Sequence, residues 1–132
     1  MFDNDVLHWQ DKQKTVDALE VTAHGMNLYQ KIDSAFYNQY LPMHFGQETI
    51  VTPSDDGALF VNFALFPGVY QPSSHINISR AREFYLKLYS SVIGTPDPVL
   101  GGAARTGQMI AEACALNFAL ISDGSMVLRY TT

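Results

Sequence analysis

The run Arg82-Glu83-Phe84-Tyr85-Leu86-Lys87-Leu88-Tyr89-Ser90-Ser91-Val92-Ile93 leaves the chain few options. At a period of two, Phe84, Leu86, Leu88 and Val92 share one face, while Glu83, Tyr85, Lys87, Tyr89 and Ser91 share the other. Successive strand side chains point to opposite sides, so this alternation predicts a strand with one face in a core. Tyrosines interleaved with charges fit a protein contact better than plain water. The strand is therefore expected in the middle of a small sheet, with Tyr85 and Tyr89 on an interaction face.

The flanking segments supply the rest of an α+β pattern. Residues 3–24 read as a polar helix, with Val6, Trp9, Val16 and Leu19 loosely spaced and Asp3 or Asp5 as N-cap. Gly25 breaks it. Tyr29, Ile32, Phe36 and Tyr40 then recur at helical spacing beside Leu28 and Ala35, up to Leu41-Pro42, where the residue before proline resists the α region. Residues 49–52 form a short strand, and Pro53-Ser54-Asp55-Asp56-Gly57 is turn chemistry. Residues 58–66 are apolar on both faces, which predicts a strand covered on both sides. Proline, glycine and serine make 67–79 an extended loop and 94–102 a second one. Residues 103–116 carry good helix formers, with Met109, Ile110, Ala113, Leu116 and Cys114 as the buried stripe. Asp123-Gly124 between two apolar runs predicts a β-hairpin at the C-terminal end. The expected fold is α+β: a small antiparallel or mixed sheet with helices packed on one face and a C-terminal β-hairpin. A chain of 132 residues fits a single domain, 1–132, divided into a helical extension (1–25) and an α+β core (26–132).

Charge and motif content narrow the function classes. The formal net charge is −5 with only eight Lys and Arg, and no basic cluster exists to neutralise phosphates, so nucleic-acid binding is not expected. Only 16% of residues are charged against 47% hydrophobic, which fits apolar surface covered by a partner. Without a basic n-region, an apolar h-region or a run of membrane-span length, the expectation is a cytoplasmic chain that binds no membrane. Gly102-Ala103-Ala104-Arg105-Thr106-Gly107-Gln108-Met109 has the glycine spacing of a phosphate loop, but lacks the Lys and the hydroxyl that do its chemistry. His8, His24, His44 and His75 are scattered, and Asp55-Asp56-Gly57 lacks the acids of a calcium loop. Ser73-Ser74-His75 is adjacency rather than triad geometry, and no nucleophile elbow is present. Neither a catalytic site, a cofactor nor a metal is expected.

In order, the chain shows an N-terminal helix, a short strand, and a long strand ending Phe66-Pro67-Gly68. A loop, an Arg-bearing strand (Arg80, then Arg82 through Tyr89), a Gly/Pro loop, a helix and a terminal strand follow. This pattern, over residues 28–132, resembles the tail terminator (tail completion) and minor tail proteins of long-tailed bacteriophages. The resemblance implies a homo-oligomeric, hexameric ring. Such a ring ends tail polymerisation, contacts the tail tube protein and the head–tail connector, and lets DNA pass through. It also implies a virion (tail) location, with assembly in the host cytoplasm. Helix 3–24 is longer than that family's. Open sheet borders and loops suit ring contacts, which makes Tyr70, Arg80, Arg82, Tyr85, Tyr89, Asp97, Arg105 and Tyr130 the interface candidates, with the arginines facing Asp55, Asp56 and Asp97. The alternative is a small binding module, such as a secretion chaperone or a toxin-neutralising protein, acting as a dimer or a one-to-one complex.

Overall fold

The computed structural model describes residues 14–96 and 102–130. Its main sheet is antiparallel with strand order β2-β1-β3, where β1 is Ala18–Ala23, β2 is Met26–Asp33 and β3 is Phe84–Tyr89. A π-helical turn, Phe36–Tyr40, runs directly into the short helix α1, Leu41–Phe45. A separate two-stranded sheet pairs β4 (Ala119–Ser122) with β5 (Ser125–Leu128). The described residues thus form a mixed α+β structure of small antiparallel sheets, one short α-helix and a C-terminal hairpin.

The opening strand forms where its alternation places it, but at the sheet edge. Phe84 and Leu86 pack toward the core, whereas Tyr85 and Lys87 stay exposed. The central position belongs to β1, within the segment expected to be helical. Leu19, Val21 and Ala23 alternate with Ala18, Glu20 and Thr22, and the β-branched Val21 and Thr22 favour the strand. His24 and Gly25 both have positive φ (54° and 76°), so the supposed helix break is a two-residue type I′ hairpin turn joining Ala23 to Met26. Residues 3–13 of the expected helix lie outside the described residues.

The second correction has a mechanical cause. Between Leu19↔Ile32 and Val21↔Tyr29, and again before Thr22↔Asn27, β2 contributes one residue more than β1. These bulges interrupt the period of two. Leu28, Tyr29 and Ile32 all reach the core, and their spacing mimics a helix. Tyr37, fully buried, donates its hydroxyl to the Leu19 carbonyl (3.1 Å), with the Gln30 carbonyl 3.4 Å away. A core of Leu19, Val21, Tyr37 and Leu41 results.

Helical structure does not stop at Leu41-Pro42 either. Pro42 occupies the first turn of α1, where a missing N–H costs little. The Leu41 amide bonds the Phe36 carbonyl, the i→i+5 spacing of a π-turn. Continuing that spacing would pair the Tyr37 carbonyl with Pro42, which has no donor. The Phe60 amide supplies it instead (3.1 Å).

Residues 58–66 form no ladder. They cross the core as an extended segment, with Leu59, Phe60, Val61 and Phe63 packed against it. Side chains hold the segment: Asn38 Nδ2 donates to the carbonyls of Asp55 and Ala58 (2.8 Å each), and Tyr29 Oη donates to the Asn62 carbonyl (2.6 Å). Residues 49–52 are likewise not a strand; Thr49 closes a turn onto Gly46. Residues 103–116 are not helical, and the expected buried stripe is exposed, Cys114 included. A helix of that length is marginal without a surface against its apolar stripe, and no described residue provides one.

Candidate interaction surfaces

Three surfaces stand out once the fold is in place. The first is the outer face of the main sheet. Register sets Glu20 opposite Lys87, Ala18 opposite Tyr89 and Thr22 opposite Tyr85. Glu20, 9% exposed, accepts from Lys87 Nζ (3.1 Å) and from Tyr89 Oη (3.0 Å), with Thr22 Oγ1 3.4 Å away. The Lys87 and Tyr89 hydrogen bonds hold the Glu20 carboxyl below its ordinary range, and Glu20 in turn raises Lys87 and Tyr89. Lys31 sits 4.1 Å over the Tyr89 ring, completing a polar layer across all three strands. At the rim, Asp33 Oδ1 accepts from the Ala35 amide (2.8 Å) and lies 3.4 Å from Lys14; the amide bond depresses its pKa.

The second surface is a shallow depression of about 420 Å³ lined by His24, Gly25, Arg80, Arg82 and Glu83. The β1–β2 turn forms one wall. The His24 amide donates to the Glu83 carbonyl (3.3 Å), and His24 Nε2 lies 3.4 Å from the Asn77 carbonyl.

The third is the segment 102–130, exposed almost throughout. Its hairpin turns at Asp123-Gly124, both at positive φ (48° and 80°). Asn117 clamps the open end, with Nδ2 donating to the Tyr130 carbonyl (2.7 Å) and Oδ1 accepting the amides of Phe118 (2.8 Å) and Tyr130 (3.1 Å). Register puts Ile121 and Met126 on one face and Leu120 and Val127 on the other, so both faces are apolar and bare.

The interface candidates therefore separate. Tyr85 and Tyr89 share the outer sheet face, where Tyr89 is already engaged and Tyr85 is half exposed. Arg80 and Arg82 share the depression. Tyr70 stands fully exposed in the 67–79 loop, and Tyr130 packs against Phe118 in the hairpin (ring centroids 6.4 Å). Arg105 is tied to the 94–95 segment through backbone bonds to Gly94 and Thr95 (2.8 and 3.0 Å). Asp97 lies outside the described residues. Sequence reasoning missed Glu20 and His24, because both were assigned to a helix. Recognising a residue-Gly turn at 24–25 exposes both.

Among the described residues no group of three or more His, Cys, Asp or Glu could hold a metal, and no helix is long and apolar enough to cross a membrane.

Comparison with known proteins identifies what this arrangement belongs to. A family model described as large eukaryotic DNA virus major capsid protein matches residues 2–128. The chain is 45% identical over 115 residues, 86% of its length, to a major capsid protein of African swine fever virus. It shows the same identity and coverage against the hexon protein p72 of another isolate of that virus. It spans 17% of the length of these relatives. The Faustovirus major capsid protein superposes with a TM-score of 0.55 at 55% identity, covering 58% of this chain and 13% of that one.

These findings overturn the likeness to phage tail terminators. With it go the hexameric ring, the tail-tube and connector partners, and the tail location. That likeness rested on the order of elements over residues 28–132, where the expected first helix begins as strand β2 and residues 103–116 are not helical. The reading as a secretion chaperone or toxin-neutralising module has no support in these relatives. The chain belongs to the major capsid protein family of large eukaryotic DNA viruses.

Proposed function

We propose that the chain is a structural, non-catalytic element of a viral capsid, located in the virion and assembled in the host cell beside other capsid chains. The family match over 2–128 carries this reading. The geometry supports it. A two-stranded hairpin that is apolar on both faces has too little of its own surface to bury, and exposed patches of that kind mark contact sites. In this reading 102–130 lies against a neighbouring capsid chain, and Tyr70, Tyr85 and Tyr130, each at least half exposed, are further contacts.

Limited proteolysis tests it. In the free chain, cleavage should concentrate in 102–130; in purified particles the same bonds should be protected. Absence of the chain from purified virions, or equal cleavage rates in both states, would overturn the reading.

A further inference from the structure

Arg80 and Arg82 differ from the other described cations. Lys14 pairs with Asp33 (3.4 Å) and Lys87 with Glu20 (3.1 Å). Lys31 lies over the Tyr89 ring, Arg129 lies 5.6 Å from the Tyr130 ring centroid, and Arg105 has a partner as well. Arg80 and Arg82 make no hydrogen bond or ion pair among the described residues, although both line the same depression. Glu83 also lines it, yet its carboxylate pairs with neither guanidinium. Two arginines lining one depression suit a carboxylate, because a guanidinium presents a planar fork of donors.

The same chain carries a matching group. Asn38 grips the carbonyls of Asp55 and Ala58, and Asp55 Oδ1 accepts from the Gly57 amide (2.9 Å), so the 55–57 turn is fixed. Asp56, in the middle of that turn, is exposed and has no partner among the described residues. A carboxylate on a preformed turn loses little freedom on docking.

We propose that the depression at His24, Arg80 and Arg82 is a carboxylate-accepting site that receives the Asp56 turn of a second copy of this chain. The proposal rests on the assembly reading above and names one of its contacts. Complementarity carries it: two unpaired cations in a net acidic chain face an unpaired acid held on a rigid turn.

Sedimentation velocity on the full chain, at low and raised salt, tests the contact. The wild type should self-associate, and more weakly as salt rises. Arg80→Glu with Arg82→Glu, or Asp56→Lys alone, should weaken association by about tenfold or more. Combining them should restore most of it. Circular dichroism should show all variants folded, as these side chains are exposed, and Arg80→Gln with Arg82→Gln gives a milder check. Association unchanged by these substitutions, or no recovery in the combined variant, overturns the site. A wild type that stays monomeric at low salt also overturns it, while the virion measurement still decides the capsid reading separately.

Discussion

β1 and β2 turn at His24-Gly25, β4 and β5 turn at Asp123-Gly124, and in both turns the two central residues have positive φ. The hairpins are local twins, but their side chains meet opposite surroundings. In the first, Leu19, Val21 and Ala23 are buried, Leu19 and Val21 in one core with Tyr37 and Leu41, and β3 extends the ladder. In the second, every residue of both strands is exposed, and the Asn117 clamp and Ser125 Oγ on the Ser122 carbonyl (2.8 Å) supply the only side-chain bonds to its backbone among the described residues. Turn chemistry decides that a hairpin forms. It says nothing about what covers it.

Matched truncations give the largest expected contrast. Leu19→Ala removes a buried side chain and should cost about 2–5 kcal/mol. Leu120→Ala, on an exposed strand, should change the free chain by no more than about 0.5 kcal/mol. Urea denaturation followed by circular dichroism measures both. Similar losses would mean that the second hairpin is already covered in solution, and the contrast would fail.

The turns themselves come next. At both Gly25 (φ +76°) and Gly124 (φ +80°) an added Cβ meets nothing within 4 Å, so Gly→Ala acts through the backbone alone, at about 1–2 kcal/mol. The local cost should be equal and the readout different. Gly25→Ala should lower the urea midpoint of the whole fold, because β1 anchors the core. Gly124→Ala should speed amide exchange only within 119–128. A shifted midpoint in Gly124→Ala would tie the hairpin to the main core.

The same contrast explains what could be read from the sequence. The alternation of 84–89 and the Asp123-Gly124 turn were legible because both signals are local: a period of two, and a residue pair suited to positive φ. β1 and β2 were not. His24-Gly25 is a weaker turn signal than Asp-Gly, and the bulges in β2 give Leu28, Tyr29 and Ile32 a helix-like spacing. The run 103–116 carries helical propensity, but propensity is a weak prior where nothing packs against the stripe. Of the interface candidates, the Tyr85 and Tyr89 face was visible in the alternation. The meeting of Arg80 and Arg82 with His24 needed the turn at 24–25, and the Glu20 network needed β1 to be a strand.

That network gives the smallest expected effect, and it sharpens the contrast because the second hairpin has no counterpart to it. Lys87, then Tyr89, hold Glu20 in its ionised form, so its folded pKa lies below the unfolded one. Its contribution is complete above the unfolded carboxylate range and is lost as pH falls through the folded value. Lys87 and Tyr89 are raised, so their contributions are intact below their unfolded values and vanish as pH rises through the folded ones. The β1–β3 pairing should therefore loosen at both ends of the pH range. Lys87 is half exposed, and solvent keeps such a pair weak, so the change is a modest slope in stability rather than a collapse. Glu20→Gln should flatten the acid limb of urea midpoint against pH, while Leu120→Ala leaves it as in the wild type. Superimposable acid limbs in wild type and Glu20→Gln would show that Glu20 binds its proton equally well in the folded and unfolded chains, and that the polar layer does not hold the sheet edge.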